Sequence, residues 1–141
     1  MKVLFDTNVI LDVLLAREPF VAASARLVGC VETGALEGLL GATTVTTIHY
    51  LVSRELGAAW ARRLVNKLLG LFDVAAVDSK VLASATTLKL ADFEDAVLHE
   101  AGRLAGAEII ATRDVAGFKR GSLPACSPLE LLVALEAEEE G

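Results

Sequence analysis

Short apolar runs alternate with stretches of helical periodicity along the whole chain. The first run, Val3 to Phe5, stops abruptly at Asp6, and beyond it the apolar residues recur with helical spacing. The same pattern predicts further strands at Gly38 to Gly41, Leu71 to Val77 and Glu108 to Ala111, with a weak last one near Ala125. Helices are predicted from Val9 to Leu15, Phe20 to Thr33, Thr43 to Glu55, Ala58 to Leu69, Ser79 to Leu88, Asp92 to Leu104 and Pro128 to Glu138. Ser127-Pro128-Leu129-Glu130 offers an N-cap, a proline in the first helical position and a glutamate at N3, which together start a helix with a capping box. Strands separated by helices imply crossover connections. The expected fold is therefore α/β, a three-layer α/β/α sandwich around a central, mostly parallel sheet.

Apolar residues make up 54% of the 141 positions. A membrane span needs about 20 consecutive apolar residues. The longest charge-free run, Gly38 to Ser53, is shorter and carries four threonines, a histidine and a tyrosine, so no membrane association is expected. The other setting for such a composition is a parallel sheet buried on both faces, whose strands read as continuous apolar runs. The length suits one domain spanning residues 1–141. Asp6 and Asp12 interrupt the first apolar stretch, so it lacks the unbroken core of a secretory leader, and a cytoplasmic location is expected. Cys30 and Cys126 stand far apart without paired spacing and suggest neither a disulfide nor a thiolate zinc site.

The formal net charge of −6 argues against broad non-specific adhesion to nucleic acid. Four glutamates crowd an acidic C-terminal tail over about residues 136–141, and without them the body carries 13 basic and 15 acidic residues. Charge must therefore be judged locally. Three places set a carboxylate beside a strand end or helix start: Asp6, the cluster Asp92-Phe93-Glu94-Asp95, and Asp114 after Ile109-Ile110-Ala111-Thr112-Arg113. In a parallel sheet Asp6 and Asp114 project from the same edge, where α/β folds bind ligands. Asp92 and Asp95 share a helix face and can reach that edge. Any one of these acids is explained by turn formation or helix capping, but Asp95 lies inside a helix, where aspartate has poor propensity. Carboxylates gathered in one cleft repel one another unless a cation neutralises them. Mg²⁺ or Mn²⁺, which prefers oxygen ligands, suits that role and supports phosphodiester cleavage.

Asp6-Thr7-Asn8-Val9-Ile10-Leu11-Asp12, Asp92-Phe93-Glu94-Asp95-Ala96 and Thr112-Arg113-Asp114-Val115 with Phe118 resemble, in order and separation, the PIN-domain family. The resemblance covers essentially the whole chain, and its opening is similar to small bacterial stand-alone members, the toxin ribonucleases of toxin–antitoxin pairs. The resemblance implies an endoribonuclease dependent on Mg²⁺ or Mn²⁺. It implies Asp6, Asp95 and Asp114 as metal-binding and catalytic acids, Asn8 and Thr112 as supporting polar residues, and Asp92 as a supplementary carboxylate. It further implies a frequent homodimer and, for the toxin members, an inhibitory antitoxin protein. Two positions depart from the family pattern. Thr47 stands where many members carry a glutamate, which leaves that duty to Asp92 or Asp12 or weakens catalysis, and Gly117 stands where an aspartate is frequent.

RNA contacts are expected from Arg113, Lys119 and Arg120, which follow the predicted catalytic edge and offer charge to phosphates. Arg62, Arg63 and Lys67 read as a solvated helix face. Aromatic residues are few, so no base-stacking platform is expected. His99, four residues after Asp95, and His49 read as packing or hydrogen-bonding residues. The apolar surplus from Ala58 to Leu69 and in the last helix suggests a dimer interface. Two other readings compete with the nuclease: a non-catalytic PIN-like module binding RNA or protein, and a phosphoryl-transfer enzyme with Asp6 as nucleophile. The second lacks an aspartate two residues on, where Asn8 stands, and a strand-end lysine.

Overall fold

The computed structural model describes residues 1–140. Five strands, β1 (Lys2–Phe5), β2 (Glu37–Gly41), β3 (Asp73–Ala75), β4 (Ile109–Ala111) and β5 (Ala125–Cys126), pair in the order β3-β2-β1-β4-β5. Every pairing is parallel. Seven helices connect or flank them: α1 (Thr7–Leu14), α2 (Val21–Glu32), α3 (Ala42–Leu56), α4 (Ala58–Leu71), α5 (Ser79–Thr87), α6 (Phe93–Leu104) and α7 (Pro128–Glu140), with a 3-10 turn at Ala116–Phe118. The expected parallel sandwich is thus observed.

Alternation along a strand sends successive side chains to opposite faces, and β1 shows how this divides the core. Val3 and Phe5 pack with Val9, Leu27, Ile48, Leu68 and Leu131 from α1, α2, α3, α4 and α7. Leu4 faces the other way, onto Leu98 of α6 and Phe118 of the 3-10 turn. All three are fully buried, so the apolar run without polar relief is the signature of a strand covered on both sides. The second face needs a close approach: a Cβ on Gly102 of α6 would stand 2.5 Å from Leu4 Cδ2, so only glycine admits the helix backbone at this depth.

Boundaries differ from the predicted ones where hydrogen bonding decides them. The third strand is only Asp73–Ala75 because α4 persists to Leu71, its last turn closed by the Phe72 N–H on Leu68 O at 2.8 Å. The capping box at Ser127 forms, with Glu130 N–H donating to Ser127 Oγ and Ser127 N–H to Glu130 Oε1. The last helix extends past the predicted end at Glu138: α7 runs through Glu140, and Glu136 meets Arg26 of α2 at 2.8 Å. Gly141 lies outside the described residues. Among those residues no helix is long and apolar enough to cross a membrane.

His99 is a structural residue, as expected. It is fully buried, and its Nε2 accepts the Leu123 N–H at 3.0 Å. Its proton therefore sits on Nδ1, which donates to Glu100 Oε2 at 2.7 Å. Glu100 also accepts from Ser84 and, through two bonds of 3.0 and 3.1 Å, from Arg103. The Arg103 guanidinium is the main reason that the Glu100 carboxyl is lowered from the ordinary 4.5 to about 2, with the Ser84 and His99 bonds adding to it. A depressed carboxylate stabilises the fold above its unfolded value and ceases to do so below. The contribution of Glu100 is thus complete above about pH 4.5 and disappears as the pH falls towards 2. Urea titrations at stepped pH should show the stability gap between the parent and Glu100→Gln narrowing over this window. A gap that stays constant would contradict the assignment.

Candidate active site

The parallel register creates the site. Phe5 pairs with Ala111 across the β1–β4 seam, so the next residues, Asp6 and Thr112, leave the sheet side by side at its C-terminal edge. This seam is where the chain reverses its direction of winding, from β2 and β3 on one side to β4 and β5 on the other. Such switch points leave a crevice between diverging connections. A cavity of about 570 Å³ opens there, with Asp6, Asn8, Thr47, Glu94, Asp95 and Asp114 among its walls.

Asp6 is buried and held on both oxygens. Oδ1 accepts the Thr7 N–H at 2.7 Å as the cap of α1, and Oδ2 accepts the Thr112 hydroxyl at 2.7 Å. Thr112 is itself oriented, because its Oγ1 accepts the Asp114 N–H at 2.9 Å and so must turn its proton to Asp6. Burial raises the Asp6 carboxyl above its ordinary 3.8 despite those bonds, and the Asp114 charge adds to the rise. Asp95, half-buried in the first turn of α6, is raised to about 6, chiefly by burial and then by the charges of Asp6, Asp92, Asp114 and Glu94. The three acids therefore face one space and feel one another across it. Asp114 bends back so that its Oδ1 accepts the Gly117 N–H at 3.1 Å. A Cβ at Gly117 would lie 2.4 Å from Asp114 Oδ2, so a side chain at 117 would require this carboxylate to shift.

The site tests well for a hard cation in its donor chemistry. Three carboxylates are joined by Asn8, whose Oδ1 is buried without a hydrogen-bond partner. An orphaned carbonyl oxygen beside mutually repelling carboxylates is the donor set of Mg²⁺ or Mn²⁺. Among the described residues no three His, Cys, Asp or Glu side chains are grouped so that they could hold a metal ion together, so the ion would reach part of this donor set through its own waters. The threonine-rich start of α3, with Thr43, Thr44, Thr46 and Thr47, forms another part of the cavity wall. Thr7 Oγ1 and Thr44 Oγ1, 2.9 Å apart, tie it to α1. Thr47 lines the cavity and brings no charge.

Several expectations need correction. Asp92 is an exposed helix cap whose Oδ1 accepts the Asp95 N–H at 3.0 Å; it is not among the cavity walls, and its charge raises the Asp95 carboxyl from outside them. Asp12 does not replace a missing acid, being fully buried and paired with Arg113 at 2.7 and 3.3 Å. Arg113 is accordingly not a free RNA contact: its guanidinium is spent on Asp12 and lies 4.1 Å from the Phe20 ring centroid. Lys119 and Arg120 are exposed but line a separate depression. Glu94 and Phe93 line the cavity unforeseen, and Phe93 is 53% exposed there. Their positions at the start of α6 next to Asp95 were the available signal.

Comparison with known proteins follows the same lines. The family model described as PIN domain matches residues 2–116, and no curated protein matches. Among solved structures, FitAcB from Neisseria gonorrhoeae is 21% identical with a TM-score of 0.68, covering 90% of this chain and 98% of that one. VapBC-1 from nontypeable Haemophilus influenzae is 15% identical with a TM-score of 0.69, covering 92% and 99%. VapC20 of Mycobacterium tuberculosis, described as a sarcin-ricin loop cleaving toxin, is 15% identical with a TM-score of 0.66, covering 84% and 95%.

Two stability measurements test this geometry. Arg113→Ala strands a buried Asp12 carboxylate and should cost about 3 kcal/mol or more in urea unfolding; a loss within about 0.5 kcal/mol would show that the pair is incidental. Asp95→Asn relieves repulsion and burial of charge, so in EDTA near neutral pH its Tm should rise by about 2–4 °C. A lower Tm would mean that the acids do not oppose one another.

Proposed function

Because the chain belongs to the PIN-domain family, we propose that it is a metal-dependent endoribonuclease hydrolysing RNA phosphodiester bonds, the toxin of a type II toxin–antitoxin pair. The observation that carries this reading is the convergence of Asp6, Asp95 and Asp114 on one cavity with the orphaned Asn8 carbonyl. When bound, Mg²⁺ or Mn²⁺ supplies an activated water and charge stabilisation at the phosphate. Asp6, Asp95, Asp114 and Asn8 would hold it. The chain's own part is preorganisation: Thr112 and the Thr7 N–H fix Asp6, and the Asp114 N–H fixes Thr112. Phe93 at the cavity mouth offers a face to an unpaired base, and Lys119 and Arg120 offer charge to phosphates.

The partners follow from the same reading. Solved structures of this fold include one described as a toxin-antitoxin complex from Klebsiella pneumoniae, and we read a protein antitoxin as the inhibitor of this chain, acting in the cytoplasm. Trp60 and Leu69 on α4 and Leu129 and Val133 on α7 are exposed large apolar residues, which suits the proposed homodimer.

One observation favours a second reading. The threonine wall leaves the cavity without a carboxylate on the α3 side, as a non-catalytic RNA-binding or protein-binding module would allow. Asp6→Asn should lower Mn²⁺-dependent cleavage by about a hundredfold or more while circular dichroism stays unchanged. Cleavage by a pure Asp6→Asn sample at the parent rate would reject the assignment. Calorimetric titration with Mn²⁺ separates the two readings: carboxylate-dependent binding supports the enzyme, and an absence of binding supports the module.

A further inference from the structure

Next to the acidic cavity lies a second depression, of about 610 Å³, whose charged wall residues are Lys89, Lys119 and Arg120. All three are exposed, no carboxylate lines the depression, and none of the three is in a salt bridge among the described residues. Lys89 comes from the loop between α5 and α6, whereas Lys119 and Arg120 follow the 3-10 turn, so two distant segments bring like charges to one concave surface. On a chain of net charge −6 this is a local patch of positive potential that can attract a polyanion. The nearest acid in sequence, Asp92, is engaged in capping α6.

The depression also has a defined relation to the site. Gly117 lies in its wall, and the Gly117 N–H bonds to Asp114, which lines the acidic cavity. The two hollows are therefore back to back across one short loop. We propose that this basic depression holds the backbone phosphates of the RNA strand flanking the bond to be cut, with Lys89 as a contact in its own right. The proposal rests on the ribonuclease reading and extends it to the path of the substrate. Cations beside the acids, rather than among them, let a polyanion approach without cancelling the charge that a metal needs. An acidic peptide is the poorer occupant, since the wall offers no aromatic anchor of the kind that dominates protein interfaces.

The test uses the full chain in EDTA, with binding of a labelled, unstructured oligouridylate followed by fluorescence anisotropy at several salt concentrations. Lys89→Gln, Lys119→Gln and Arg120→Gln should each weaken binding about threefold to tenfold and each reduce the slope of log K against log salt by about 0.7. Lys67→Gln on α4, which lies outside this depression, should change neither. With Mn²⁺ present, Lys89→Gln should raise KM and leave kcat unchanged. Unchanged affinity and slope in the three variants would overturn the groove, and continued Mn²⁺-dependent cleavage by the parent would then leave the nuclease reading standing. Groove-dependent RNA binding in a chain that never cleaves would do the reverse. Loss of binding to polyglutamate but not to oligouridylate in the same variants would assign the groove to an acidic protein and also overturn the proposal.

Discussion

A carboxylate taken out of water must find donors, and Asp6 finds them only because β1 and β4 run parallel in one particular register. Had β4 paired one residue out of step, its side chains would have exchanged faces. Thr112 would then have entered the core and Ala111 would have faced Asp6. With Phe5 opposite Ala111, the hydroxyl arrives beside the acid, and the Asp114 N–H of the same loop sets the direction of that hydroxyl. The loop that brings Asp114 to the cavity thus takes its position from the strand pairing that also fills the core with Val3, Leu4 and Phe5.

Charge is sorted by the same connection. Residues 112 to 120 present, in order, a hydroxyl for Asp6, a guanidinium for Asp12, a carboxylate for the cavity and two cations for the neighbouring depression. Arg113 shows why proximity in sequence is a poor guide to role. It sits beside a site acid yet points to α1, where its planar fork meets the two oxygens of Asp12 and its face rests near Phe20. A lysine there would lose both the fork and the stacking surface. The pair anchors the loop to the helix that Asp6 caps.

Asp6 and Asp114 were legible because each follows an apolar run that can only be a doubly covered strand, and Asp95 because aspartate inside a helix calls for a reason. Thr112 and Asn8 came from family resemblance, and the geometry adds what that could not: the sense of the threonine hydrogen bond and the unpartnered amide oxygen. Illegible were the choices among partners. Asp12 and Arg113 lie 101 residues apart, and nothing local distinguishes a buried ion pair from a free cation. Asp92 and Asp95 have the same side chain on the same helical turn, but only Asp92 occupies the cap position. Lys89 has no apolar periodicity around it and gains its meaning from a loop that reaches it through tertiary packing.

The bare backbone at Gly117 has an effect that reaches beyond the turn it closes. By leaving room for the Asp114 carboxylate to fold over the 3-10 turn, it lets that acid take the Gly117 N–H while its charge still bears on Asp6 and Asp95. A side chain there would meet the carboxylate at 2.4 Å and oblige it to shift. Position 117 therefore acts as a steric latch on the posture of one acid in the crevice.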